Sequence, residues 1–204
     1  MTQKILIWDV PTRVFHWMLV ASFAGAYYTA DSERYRDIHV MLGYILFGLI
    51  GFRVMWGFVG TRYAQFGSFL FKPSEVVAYL TSLIQRKPSQ YLGHNPAGSV
   101  AIWLLLLLGV SSAATGVMAL KDIGGDIVLE WHDLVSEGML AIVVMHVLGV
   151  IVSSVMHREN LVRSMITGYK EGAPEQGIHY VYAWLGAAML ASTIAFWLVY
   201  SAKG

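Results

Sequence analysis

The sequence predicts an all-α integral membrane helical bundle of five spans, folded as a single membrane domain over residues 1–204. Three observations lead there. Of the 204 residues 56% are hydrophobic and only 13% are charged, against roughly 25% charged in soluble domains. Five apolar stretches approach the roughly 20 residues that cross a bilayer. Lysine and arginine are also distributed unequally between the two sets of loops that five crossings create.

The first span is expected at about 14–30, with an earlier start at Pro11, a residue suited to a first helical turn. The N-terminal run MTQKILIWDVPTRVFHW lacks a small-residue cleavage site after its apolar stretch, so this span reads as retained. The second span is expected at about 39–59. A polar connection over 60–97 follows, in which Pro73–Arg86 reads as a short amphipathic helix at the membrane interface. The third span, at about 98–120, carries the LLLLL run of Leu104–Leu108. The fourth is expected at about 131–155 and the fifth at about 179–201.

With the N-terminus inside, the cytoplasmic side holds ten cations: Lys4, Arg13, Arg53, Arg62, Lys72, Arg86, Lys87, Arg158, Arg163 and Lys170. The other side holds Arg34, Arg36, Lys121 and Lys203, which is four. That bias places the N-terminus on the cytoplasmic side and the C-terminus outside. The net charge of +1 and the lack of a long basic tract give no sign of nucleic-acid binding. The absence of cysteine excludes disulfides, thiolate-bound iron–sulfur clusters and covalent haem attachment in this chain.

Chemistry enters with His132 and His146. Fourteen residues is close to four helical turns, so both imidazoles share a face and lie about 21 Å apart along the axis. Depth then selects their partners. His16 lies near the inner end of the first span and His39 near the outer start of the second. His132 lies near the outer face, and His146 lies further in. His16 therefore pairs with His146, and His39 with His132. Each site offers two imidazoles from facing helices, which suits a six-coordinate haem b, whereas zinc normally takes three or four protein ligands. The expectation is two haem b groups, with haem iron held by His16, His39, His132 and His146. The spans thus form a four-helix haem-binding core plus a fifth transmembrane helix.

Arg13, three residues before His16, and Arg53, fourteen after His39, sit at the level of the inner site and are expected to pair with haem propionates. Gly43 and Gly149 leave room for a planar ligand to approach the backbone. His94 and His157 are candidate quinone or propionate contacts. Their ordinary readings are a solvated or capping loop histidine and a solvated interfacial one. His179 reads as interfacial.

The segments WDVPTRVFHW, IHVMLGYILFGLIGFRVMWG, YLGHNPAG and WHDLVSEGMLAIVVMHVLG resemble the bacterial di-haem cytochrome b561 family, which includes the cytochrome b subunits of nickel–iron hydrogenases. The likeness spans roughly residues 5–165. It implies the same four haem ligands and electron exchange with the quinone pool of a respiratory chain. The fifth span departs from the four-helix core of the simplest members and suits a peripheral, partner-binding or homo-oligomer helix. The expected function is a transmembrane electron conduit between quinone and a periplasmic redox partner, either a c-type cytochrome or an oxidoreductase subunit. The acidic loop residues Asp31, Glu33, Asp37, Asp122, Asp126 and Glu130 suit a basic docking surface, although the positive-inside bias alone would leave them there. The alternatives are a self-contained superoxide:quinone oxidoreductase or ferric reductase, a haem-bearing anchor, and a haem-free transporter.

Overall fold

The computed structural model describes residues 3–202 as seven helices and one short two-stranded sheet. In chain order these are β1 (Gln3–Leu6), α1 (Val10–Thr29), α2 (Arg36–Val59), α3 (Pro73–Ile84), α4 (Pro96–Leu120), α5 (Gly125–His157), α6 (Leu161–Thr167), β2 (Tyr169–Gly172) and α7 (Ala183–Ser201). Four stretches are long and apolar enough to cross a membrane: Glu33–Val59, Pro96–Leu120, Gly125–His157 and Ala183–Ser201. The chain is an all-α membrane bundle. Helix α1 has the length, at 20 residues, but Arg13, His16 and its tyrosines dilute its apolarity. It packs antiparallel along α2.

Residues that would form a core in a soluble protein lie outside. Leu107, Met145, Val155 and Ile194 are all more than half exposed, as lipid-facing side chains are before a bilayer covers them. The interior is built in two parts. Phe15, Met41, Ile45, Leu49 and Met189 join α1, α2 and α7. Ile5, Ile7, Trp8 and Tyr63 close the sheet end of the bundle. Helix α7 leans on the first turns of α1, where Gly186 lies so close to Val10 that a Cβ would come within 2.5 Å. The fifth helix therefore lines the outside of the α1–α2 pair, away from α5.

The sheet is antiparallel, Gln3 opposite Gly172 and Leu6 opposite Tyr169. It ties the N-terminus to the segment after α6. Helices α4 and α5 form a close hairpin. Its turn runs through Gly124 and Gly125, both left-handed, where Gly124 has φ 87° and a Cβ would collide with Val128. A hydrogen bond of 3.0 Å between Ser112 and Ser136 joins the two helices, and Gly109 admits Ile50 of α2. Helix α5 packs along α4 and barely touches α1 or α2. The backbone of α5 thus stands apart from the α1–α2 pair.

Several boundaries differ from those expected. Helix α5 begins at Gly125 rather than 131, because the glycine turn lets it start directly after α4. Helix α7 begins only at Ala183, with Tyr182 in the left-handed region at φ 50°. His179 consequently lies in the connection before the helix and does not open it. The interfacial helix runs over Pro73–Ile84, two residues shorter than expected, and ends as Arg86 adopts a positive φ.

Candidate haem-binding sites

The far end of the bundle, opposite the sheet, brings His39 and His132 together with ring centres 6.2 Å apart and planes crossed at 86°. The Nδ1–H of His39 donates to the Ala26 carbonyl at 2.8 Å. That of His132 donates to the Ser112 carbonyl at 3.0 Å, with Thr115 Oγ1 at 3.2 Å. Each bond assigns the proton to Nδ1 and leaves the Nε2 lone pair free for a metal. An imidazole nitrogen lies about 2 Å from a metal it binds, and its ring centre about 1 Å behind, so two opposed imidazoles set their centres about 6 Å apart. The observed spacing fits one metal held between them. Gly116 makes room for this arrangement, since a Cβ there would stand 3.0 Å from His132 Cε1.

His16 of α1 and His146 of α5 lie towards the sheet end, near His94. Around them are three buried nitrogens without a hydrogen-bond partner among the described residues: His16 Nδ1, Arg53 Nη1 and His94 Nδ1. Buried polar atoms are rarely left so, and each normally marks a missing partner. Arg53 is only 5% exposed and lies over Phe66 and Phe69, its guanidinium 5.0 and 5.5 Å from their ring centres. It makes no ion pair within the described residues, where the pair found is Lys170–Glu159. A buried cation beside two unpartnered imidazole nitrogens fits an anionic ligand, and a haem propionate has that chemistry. A Cβ at Gly43, one turn from His39, or at Gly149 would meet nothing within 4 Å, as is also true at Gly48 and Gly51.

His94 departs from the reading of a solvated loop histidine. It is sandwiched between Trp8 and Phe69, with ring centres 4.8 and 4.5 Å away. Burial pushes its pKa down to about 3, helped by Arg53 and by the imidazoles of His146 and His16. It is therefore a neutral imidazole at physiological pH, facing the sheet-end site. His157 is engaged elsewhere. Its Nδ1 lies 2.8 Å from the Ser153 carbonyl and its Nε2 lies 3.1 Å from the Ser89 carbonyl, which pins the end of α5 to the loop after α3. Arg13 donates from Nη1 to the Ile166 carbonyl at 2.7 Å and so braces α1 against α6.

One residue of the site escaped the sequence reading. Asp9 is fully buried and caps α1, accepting from Thr12 N–H at 2.7 Å. Its other oxygen accepts from Trp56 Nε1 at 3.1 Å and Thr61 Oγ1 at 2.6 Å. It thereby fixes the start of the helix that bears His16 against the end of the helix that bears Arg53. Its position before Val10-Pro11 was the available signal, since an Asp one residue ahead of such a turn reads as an N-cap.

The family model of the prokaryotic cytochrome b561 matches residues 7–168. Among curated proteins, the chain is 24% identical over 214 residues to the probable Ni/Fe-hydrogenase B-type cytochrome subunit of Azotobacter vinelandii, covering 81% of this chain and 88% of that one. The protein of the same name from Rhodobacter capsulatus is 24% identical, over 82% of this chain and 81% of the relative. The probable Ni/Fe-hydrogenase 1 B-type cytochrome subunit of Escherichia coli K12 is 23% identical, over 80% and 89%. No solved structure matches the chain.

Proposed function

The chain belongs to the prokaryotic cytochrome b561 family, membrane b-type cytochromes of electron transfer, and on that premise we propose that it is a transmembrane di-haem conduit. In this reading His39 and His132 hold one haem b, and His16 and His146 the other. The observation that carries it is the 6.2 Å spacing of the His39 and His132 rings, with both Nδ1 protons already committed to carbonyls.

Haem b, when bound, would supply a one-electron ferric/ferrous couple, and His39 with His132 and His16 with His146 are the residues that would hold it. The residues do the rest. The Ala26 and Ser112 carbonyls orient the far-end imidazoles, and Gly116 gives His132 its room. Arg53 offers a buried positive charge to a propionate of the sheet-end haem, and neutral His94 offers a ring N–H beside it. Apolar side chains of α1, α2, α4 and α5 exclude water and insulate the path.

The cation distribution supports a cytoplasmic sheet end and a periplasmic far end. Electrons would then pass between a quinone near the sheet end and a periplasmic partner at the other. The partner is a c-type cytochrome or an oxidoreductase subunit, and the hydrogenases named for the relatives make the second class the better precedent.

The test is haem stoichiometry of the purified protein by pyridine haemochrome, beside His39→Ala and His146→Ala. Two non-covalent b haems in the parent, falling towards one in each variant, is the expected result. One haem or none in the parent removes the conduit.

A further inference from the structure

We propose that the sheet end of the bundle carries a site for one anionic phospholipid, its phosphate held by Arg86, Lys87 and Arg158. The site lies where the loop after α3 meets the end of α5. It belongs to the lipid-facing surface and stands apart from the two-haem reading.

The backbone brings these cations together. His157, the last residue of α5, has its Nδ1 2.8 Å from the Ser153 carbonyl. Its Nε2 lies 3.1 Å from the Ser89 carbonyl, across 68 residues of sequence. The loop is itself folded back on α3. The Lys87 N–H donates to the Ser82 carbonyl at 2.9 Å, and the Ser89 N–H to the Ser82 hydroxyl at 3.4 Å. Arg86 and Lys87 therefore stand close to the pinned Ser89, and Arg158 adjoins His157 in the chain. All three are exposed, and among the described residues none is in an ion pair.

The neighbouring negative charge does not cancel them. Glu159 lies 3.0 Å from the ammonium of Lys170 and neutralises it. Glu171, which borders the same small cavity as Gln90 and Glu159, adds one carboxylate. The C-termini of α3 and α5 each contribute about half a negative charge, which fades within a turn. Three whole cations leave the junction positive.

The acyl chains have a place as well. On α5, Val144, Leu148, Ile151 and Val155 share one face, away from His146, and each is at least half exposed. This stripe ends one turn before Arg158 and spans about 16 Å, the depth of one leaflet of a roughly 30 Å hydrocarbon core. On α3, the exposed Val77, Leu80 and Ile84 form a second stripe that ends just before Arg86. Two apolar stripes thus end at three cations, matching the division of an anionic lipid into chains and phosphate. The positive-inside bias explains why cations lie at this end. It does not explain why two distant segments are pinned so that their cations meet.

The experiment is native mass spectrometry of the detergent-solubilised protein, titrated with phosphatidylglycerol and with phosphatidylcholine of the same acyl chains. The parent should hold one phosphatidylglycerol more firmly than any phosphatidylcholine. Arg86→Gln, Lys87→Gln and Arg158→Gln should each weaken it about fivefold, and the triple variant should treat the two lipids alike. Lys72→Gln, at the other end of α3, should leave the preference unchanged. His157→Ala keeps all three charges but frees the loop, so it should lose most of the preference. His157→Gln, which can still donate to the Ser89 carbonyl, should recover part of it. No preference in the parent overturns the proposal, and so does an unchanged preference in the triple variant or in His157→Ala. An equal loss in Lys72→Gln overturns it too, because the cations would then act as a diffuse field. Displacement of the bound lipid by millimolar inorganic phosphate overturns the lipid assignment, since the junction would then recognise phosphate alone.

Discussion

Trp56 donates its indole N–H to the carboxylate of Asp9 at 3.1 Å, across 47 residues of sequence, in a place sealed from solvent. The bond joins the first turn of α1 to the last turn of α2. Asp9 lies seven residues before His16, and Trp56 three residues after Arg53. The sheet-end site is thus framed by one buried carboxylate that holds the helix of His16 and the helix of Arg53 in register.

Replacing Asp9 with Ala should therefore cost more than an ordinary surface cap. The lost cap contributes about 0.5–2 kcal/mol, and leaving the Trp56 and Thr61 donors unpaired adds about 1–3 kcal/mol. Asp9→Asn keeps an acceptor for the Thr12 N–H and should fall between parent and Ala. Thermal unfolding in detergent measures the ranking. The haem ratio should drop for the His16–His146 site first, because the far-end site does not depend on this junction. Equal melting of parent and Asp9→Ala would remove the keystone role.

Legibility in the sequence followed the range of the interaction. The spans were readable because apolarity over about 20 residues is a local property. The approach of His39 to His132 was readable because helical rise turns sequence spacing into depth. What stayed hidden depends on segments far apart in the chain. Strands β1 and β2 are four residues each and pair residue 3 with residue 172, too short and too distant for any alternation signal. His94 looks like an exposed loop residue until Trp8 and Phe69 arrive on either side of it. Asp9 is visible as a cap, but its burial needs Trp56 and Thr61.

Gly116 offers a selective probe of the far-end site. A Cβ there would sit 3.0 Å from His132 Cε1, closer than the imidazole can accept without moving. Gly116→Val should displace the ring from the Ser112 carbonyl and lower haem content from two towards one. The haem at His16–His146 should remain. Gly116→Ala, with a single methyl, should have the smaller effect. The haem-to-protein ratio reads the result, and an unchanged ratio in Gly116→Val would mean that His132 does not need this position.

Lys170 on β2 is almost fully buried, bonded to the Tyr91 carbonyl at 3.2 Å and paired with Glu159 at 3.0 Å. Removing only the carboxylate strands a buried charge. Glu159→Gln should destabilise the sheet end by about 1–3 kcal/mol, discounted because Glu159 is itself 30% exposed. Lys170→Met removes the desolvated charge altogether and should lie near the parent. Melting temperatures of the two variants test the contrast. Equal losses would mean that the pair is worth only its hydrogen bond.

Helix α3 carries two adjacent apolar stripes, and only one is used inside the protein. Val76, Tyr79 and Leu83 turn inward, with Tyr79 bonded to Ser153 of α5 at 3.4 Å. Val77, Leu80 and Ile84, spaced for one face, are 63%, 45% and 84% exposed. Lys72, Arg86 and Lys87 stand at its two ends, all exposed. An exposed apolar stripe flanked by cations is what a helix lying in the headgroup layer presents, its side chains in the acyl boundary and its charges at the phosphates. The chain has no cysteine, so a single introduced one can be labelled without background. A fluorophore on Leu80→Cys or Ile84→Cys, in bilayer discs holding brominated lipid, should be strongly quenched. The same label on Ala78→Cys, on the opposite face, should not. Equal quenching at all three sites, or none, would place α3 outside the lipid and leave its outer stripe to a protein partner.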